Sequence, residues 1–177
     1  MSLRIEVKKL REAPIDLEID CPPDHLDLVD REYRFRKRVT GMVHFTLVEQ
    51  RVRGQGFVET IAEAECVRCL RVVEVPIRGI VDVFYENNPA LLTPEAQMGA
   101  LEDETLYWFD GDIVHPEEQL RESLMIELPM LPLCKPDCKG LCVHCGADLN
   151  EGPCACREEQ AEELEPWKAA LKQIRLK

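Results

Sequence analysis

No stretch of this chain approaches the roughly 20 consecutive apolar residues of a membrane span. The opening residues, MSLRIEVKKLREAP, carry a charge every few positions and contain no apolar h-region. Neither a bilayer crossing nor a cleaved secretory leader is therefore expected. The expected setting is cytoplasmic, where thiols stay reduced rather than forming a disulfide framework. Also missing are a nucleophile elbow, a glycine-rich phosphate loop and an H-E-x-x-H pair, and the four histidines, His25, His44, His115 and His144, show no ligand or triad spacing. The carboxylates come in runs that a solvated face explains. The expectation is a protein that is not an enzyme and has no small-molecule substrate. There is no internal repeat and no low-complexity tract. Positive charge is scarce as well: 22 basic against 34 acidic residues leave a formal charge of −12, a poor balance for general nucleic-acid binding.

What the chain has in excess is cysteine, locally. Six of its nine cysteines fall between residues 134 and 156, in CKPDCKGLCVHCGADLNEGPCAC. No apolar core needs sulfur at that density, so these side chains read as metal ligands. In Cys142-Val143-His144-Cys145-Gly146 a C-x-x-C turn presents two sulfurs to one tetrahedral ion, and Gly146 can take the positive φ that closes such a knuckle. Cys154 and Cys156, beyond the turn-prone Asn150-Glu151-Gly152-Pro153, lie on one face of an extended segment and complete a first set of four. A second set, Cys66, Cys69, Cys134 and Cys138, joins an upstream C-x-x-C to a pair four residues apart. Spacing also permits one site built from Cys138, Cys142, Cys145 and a later cysteine, with Cys66 and Cys69 free. The expected cofactor is structural zinc, one or two ions, because all-cysteine ligation closes the coordination sphere. His144 sits mid-knuckle and should point outward, and Cys21, before Pro22-Pro23, reads as a partly buried bystander. A thioredoxin-type use of Cys66 and Cys69 would need a strand-to-helix junction, whereas β-rich sequence flanks them on both sides.

Charge is distributed unevenly. Arg31 to Arg53 holds seven basic and two acidic residues, and Glu95 to Glu127 holds ten acidic residues and one Arg. In Tyr33-Arg34-Phe35-Arg36-Lys37-Arg38-Val39 the period-2 alternation puts Arg34, Arg36 and Arg38 on one face. With Arg51 and Arg53 they form the candidate RNA contact, against the plainer reading of a solvated arginine row on an amphipathic strand.

The expected fold class is α+β. Short strands at Leu3 to Val7 and Ile15 to Ile19 precede a long strand from Tyr33 to about Glu49. Gln50 to Gly56 reads as a hairpin turn or bulge, and strands follow at Phe57 to Glu65 and Val72 to Tyr85. These form an antiparallel β-meander expected to curl into a barrel or half-barrel. Pro76 and Gly79 mark an edge or bulge in the last strand. An acidic loop fills 87–104, and Leu106 to Phe109 and Ile113 to Val114 flank an Asp110-Gly111 turn. A covering helix starts at Pro116, with Leu120, Leu124 and Leu128 on one face, and ends at Pro129. Three regions result: 1–133, β-rich with its helix; 134–156, the zinc-binding segment packed on it; and 157–177, a helical tail with Trp167, Leu171 and Ile174 on one face.

The hairpin ending in Cys66-Val67-Arg68-Cys69-Leu70, then Glu127-Leu128-Pro129-Met130-Leu131-Pro132-Leu133-Cys134, then Asp137-Cys138-Lys139-Gly140-Leu141-Cys142-Val143-His144-Cys145-Gly146 with Leu149-Asn150, Cys154 and Cys156, resembles the bacterial YceD-type proteins. The resemblance covers roughly residues 39–156. It implies a non-enzymatic cytoplasmic protein needed for accumulation of large-subunit ribosomal RNA. Implied partners are large-subunit ribosomal proteins or an assembly particle, and rRNA itself. Two mechanisms fit that role: an acidic escort that meets basic proteins, and a zinc ribbon that grips RNA through Arg34, Arg36, Arg38, Arg51 and Arg53. A thiol redox role for Cys66 and Cys69 is the third.

Overall fold

The computed structural model describes residues 3–91, 106–154 and 156. Residues 92–105, with Glu102, Asp103 and Glu104, and residues 157–177, where a helical tail is expected, lie outside the described residues. By internal contacts the chain divides into two compact units: Met1–Ala64 with Glu74–Met130, and Glu65–Val73 with Leu131–Lys177.

The first unit is built on strand alternation. Strands β2 (Ile15–Cys21), β3 (Arg34–Phe35), β4 (Val39–Val48), β5 (Arg51–Glu65), β6 (Val72–Asn87) and β7 (Leu106–Phe109) form one sheet in the order β2-β4-β5-β6-β7, with β3 added to β5. Along β4 the residues Val39, Val43 and Phe45 point inward and are fully buried, and on β6 Ile77, Val81 and Tyr85 do the same while Glu74, Arg78 and Asp82 face water. This period of two is what a sheet covered on one face requires. The sheet is not closed into a barrel. Order runs from β2 at one edge to β7 at the other, and β7 lies parallel to β6 rather than continuing the meander. A parallel partner brought by a connection cannot carry the up-and-down alternation around to β2, so the expected closure fails.

Two details of the strands also differ from expectation. The long strand from Tyr33 breaks at Arg36 to Arg38: β3 pairs with β5 at Glu63 and Ala62, and β4 pairs with β5 only from Glu59 onward. The hairpin turn is two residues, Glu49 and Gln50, between paired Val48 and Arg51. Glu49 takes the left-handed conformation that tight hairpins favour, with φ of 57°. Gly54 and Gly56 lie inside β5 instead. A Cβ at Gly54 would stand 2.7 Å from the ring of its cross-strand partner Phe45, so the glycine makes room for that ring.

Pro76 lies where β6 has no β7 neighbour, since that pairing covers only Phe84 to Asn87. Helix α2 (Glu117–Met125) covers the inner face with Leu120 and Leu124, both fully buried; Pro116 caps it, and Leu128 follows the helix half-buried. Burial of each leucine stabilises by roughly 1.5–3 kcal/mol. Behind the helix, Tyr85 donates a hydrogen bond to Gln119 (3.1 Å) and Tyr107 donates to Glu122 (3.0 Å). At the N-terminus β1 is only Ile5–Glu6, paired with β8 (Ile113–Val114), which follows the Gly111 turn, and α1 (Val7–Leu10) comes directly after β1. Cys21 is buried in this core, where burial raises its thiol pKa; it is a packing residue.

Candidate metal centres

The second unit gathers the cysteines. Where β5 ends, Cys66-Val67-Arg68-Cys69 turns back on itself: Leu70 N–H donates to the Cys66 carbonyl (2.8 Å) and Cys66 N–H to the Arg71 carbonyl (2.9 Å). Leu70 holds the left-handed position that closes the knuckle, with φ of 59°. Residues 131–141 are laced onto this turn. Val67 N–H donates to Pro132 O, Leu141 N–H to Arg68 O (3.0 Å each), and the Arg68 guanidinium to Cys138 O (2.8 Å). The result places the Cys66 and Cys138 sulfurs 3.8 Å apart and those of Cys69 and Cys134 3.6 Å apart, with all four inside 4.8 Å. Four thiolates around zinc at about 2.3 Å would stand about 3.8 Å from one another. The donor set therefore fits a tetrahedral ion.

The second cluster repeats the knuckle within a shorter span. Gly146 N–H donates to the Cys142 carbonyl (2.9 Å) and Cys142 N–H to Ala147 O (2.8 Å), and Gly146 takes a φ of 72°. An isolated bridge between Leu141 and Asp148 makes 141–148 a small hairpin. Cys142, Cys145, Cys154 and Cys156 bring their sulfurs within 4.8 Å of one another. His144 is exposed and outside the cluster. All nine cysteines are free of disulfides.

Electrostatics within each cluster describe a site waiting for positive charge. At Cys66 burial raises the pKa, but the amides of Cys69, Cys134 and Arg68 outweigh it and hold the thiol down at about 6. The amides of Cys145 and His144 likewise draw Cys142 down to about 6. Their neighbours move the other way: burial and the adjacent sulfurs push Cys134 up to about 12, and Cys145 with burial pushes Cys156 up to about 11. One thiolate forms readily and then opposes the next, an opposition that a divalent cation removes.

Sequence spacing did not reveal the residues that orient these ligands. Asn150 donates from its amide nitrogen to the Cys138 sulfur (3.4 Å) and accepts from Lys139 N–H (2.9 Å), and Asp148, gripped by Arg71 at 2.9 Å, in turn accepts from the Asn150 amide. The turn propensity of Asn was visible; a side-chain bond to sulfur has no period to betray it.

The five arginines singled out as an RNA contact are not gathered into an open ridge. Arg36 pairs with Glu63 (3.2 Å), Arg38 with Asp20, Arg51 with Glu86 (2.8 Å), and Arg53 with both oxygens of Asp82 (3.0 and 3.1 Å). Arg34 has no carboxylate partner among the described residues. Arg53 also lies over the Phe84 ring at 5.1 Å. No helix among the described residues is long and apolar enough to cross a membrane.

An open sheet covered by one helix, together with two tetrathiol clusters able to hold metal ions, defines the class: a β-rich protein with a cysteine-knuckle unit. The chain belongs to the YceD family, whose model, described as "Large ribosomal RNA subunit accumulation protein YceD", matches residues 54–175. It is 33% identical over 122 residues to an uncharacterized protein of Mycobacterium tuberculosis, covering 65% of this chain and 53% of that one. An uncharacterized Mycobacterium leprae protein is 32% identical over 124 residues, with coverages of 70% and 53%. A Zea mays protein named "Large ribosomal RNA subunit accumulation protein YCED homolog 1, chloroplastic" is 25% identical over 160 residues, with coverages of 77% and 55%. The chain thus spans about half the length of the curated relatives it matches. No solved structure matches it.

Proposed function

We propose that this chain is a non-enzymatic factor for accumulation of large-subunit ribosomal RNA in the cytoplasm. It works as a zinc-stabilised interaction protein that meets basic proteins of the assembling large subunit. The observation that carries this reading is the family match over residues 54–175, a span that includes both cysteine clusters. Cys66, Cys69, Cys134 and Cys138 would hold one zinc ion, and Cys142, Cys145, Cys154 and Cys156 the other; zinc supplies a closed crosslink rather than a reactive position. Charge favours protein over bare RNA. The chain carries −12, each zinc tetrathiolate adds about −2, and four of the five candidate arginines already hold carboxylates. Such a surface attracts basic partners and repels phosphate.

Gene deletion with measurement of the ribosomal RNAs tests the reading. Large-subunit RNA should fall relative to small-subunit RNA, and tagged protein should sediment with immature large-subunit material at low salt and leave it as salt rises. An unchanged RNA ratio with the protein at the top of a low-salt gradient would overturn it. Association that persists after protein extraction but disappears with ribonuclease would favour the direct RNA-binding mechanism.

A further inference from the structure

The two centres differ in access. In the first, Cys66, Cys138 and Cys69 are 0%, 2% and 7% exposed, Cys134 is half-buried, none is exposed, and the cluster is walled by Val73, Leu133 and Leu141. In the second only Cys142 is buried, Cys154 and Cys156 are half-buried, and Cys145 is exposed. A cleft of about 800 Å³, lined by Lys139, Leu141, Val143, Leu149 and Pro153 among others, opens onto Cys142 and Cys154. The first centre joins two distant segments; the second is closed by one loop, 146–153, whose Asn150 also donates to the Cys138 sulfur of the first.

Thiolate oxidation follows accessibility, so two chemically similar clusters with unlike exposure react unequally. We propose that Cys145 and Cys156 of the second centre are a site of reversible oxidation by peroxides, with the first centre left intact. This rests on the reading that both clusters hold zinc. The exposed Cys145 thiolate attacks one peroxide oxygen: an S–O bond forms, the O–O bond breaks, and the departing hydroxide takes a proton to become water. The Cys156 thiolate, whose sulfur lies within 4.8 Å of that of Cys145, then displaces the sulfenic oxygen as a second water. Two thiolates lose two electrons to peroxide, two protons come from solvent, and zinc, left with two ligands, departs. The sulfurs must close from within 4.8 Å to about 2 Å. The intervening loop holds Gly146 and Gly152, and neither has a neighbour within 4 Å of its would-be Cβ, so it has room to move.

The test uses the full chain loaded with zinc. Metal content is measured first; a value below two ions per chain overturns the metal reading and this proposal with it, and leaves the ribosomal RNA test standing separately. Hydrogen peroxide is then added in stoichiometric amount, with released zinc followed by a chromogenic chelator and disulfides mapped by differential alkylation. One of the two ions should be released, a Cys145–Cys156 disulfide should appear, and a dithiol reductant with added zinc should restore the starting state. Cys145→Ser protein should release no zinc at the same dose. Release of both ions or of neither, or a disulfide between any other pair, overturns the proposal.

Discussion

Asn150 donates to the sulfur of Cys138 although it lies in the loop that carries the other cluster, between Cys145 and Cys154. One carboxamide thus ties the loop of the second centre to a ligand of the first. Outer-shell hydrogen bonds of this kind are worth 10–100-fold in metal affinity. Asn150→Ala should therefore weaken the first centre by roughly 10-fold or more. Competition titration against a chelator checks this, with Asn150→Asp as comparison; equal affinity in wild type and Asn150→Ala would remove the tie.

Gly79 faces helix α2 so closely that a Cβ would stand 2.4 Å from the carbonyl oxygen of Ser123. Neither atom is at the end of a flexible side chain. Gly79→Ala should lift the helix off the sheet and cost about 1–3 kcal/mol, the usual range for overpacking. Urea unfolding followed by far-ultraviolet circular dichroism measures it, and a midpoint unchanged from wild type would show that the helix yields freely.

All three tyrosines have raised pKa values. Burial is the first cause at Tyr33 and Tyr85, and at Tyr107 burial and the hydrogen bond to Glu122 bring the value to about 12. A raised folded-state pKa stabilises below the ordinary tyrosine value, about 10, and that contribution is lost as pH climbs through the folded value. Stability of the first unit should decline between about pH 10 and 12. Tyrosinate absorbance should stay low at pH 10 and rise together with loss of circular dichroism. Tyr107→Phe should make the decline shallower, and an early tyrosinate signal in folded protein would refute the burial argument.

Arg36 and Arg38 are held by Glu63 and Asp20. Freeing each for a phosphate means breaking an existing pair. Replacing Arg34, Arg36 and Arg38 with Ala should change the salt dependence of RNA binding by less than about one unit of log slope, where three free contacts would change it by roughly two to three. Filter binding to a large-subunit RNA fragment across a salt series decides between them.

Much of the candidate site was legible because metal ligation needs particular atoms at short chain spacing, and Cys142-x-x-Cys145 and Cys66-x-x-Cys69 announce themselves. Counting in fours suggested joining Cys66 and Cys69 to Cys134 and Cys138, but spacing equally allowed a single site with Cys66 and Cys69 free, and the structure brings the four sulfurs together. The sheet was legible where alternation is strong, along β4, β5 and β6. It failed where alternation continues through a bend: Arg34, Arg36 and Arg38 keep their period, yet the strand breaks between Phe35 and Val39 as pairing on β5 passes from one segment to the next. The glycines misled for a physical reason. Gly54 and Gly56 look like a turn because glycine tolerates any φ, but here they admit neighbouring atoms, and the turn falls to Glu49 and Gln50. The parallel pairing of β7 on β6 leaves no local signature at all.

The first centre joins Cys69 to Cys134 across 65 residues. At about 5–20 residues per second of synthesis, the Cys66–Cys69 knuckle leaves the ribosome roughly 3–13 seconds before its partners exist. During that interval β6 and α2 are made while two bare thiols wait. The buried cluster can be completed only after the intervening strands and helix have emerged. The second centre, whose four ligands follow one another within fifteen positions, needs no such wait.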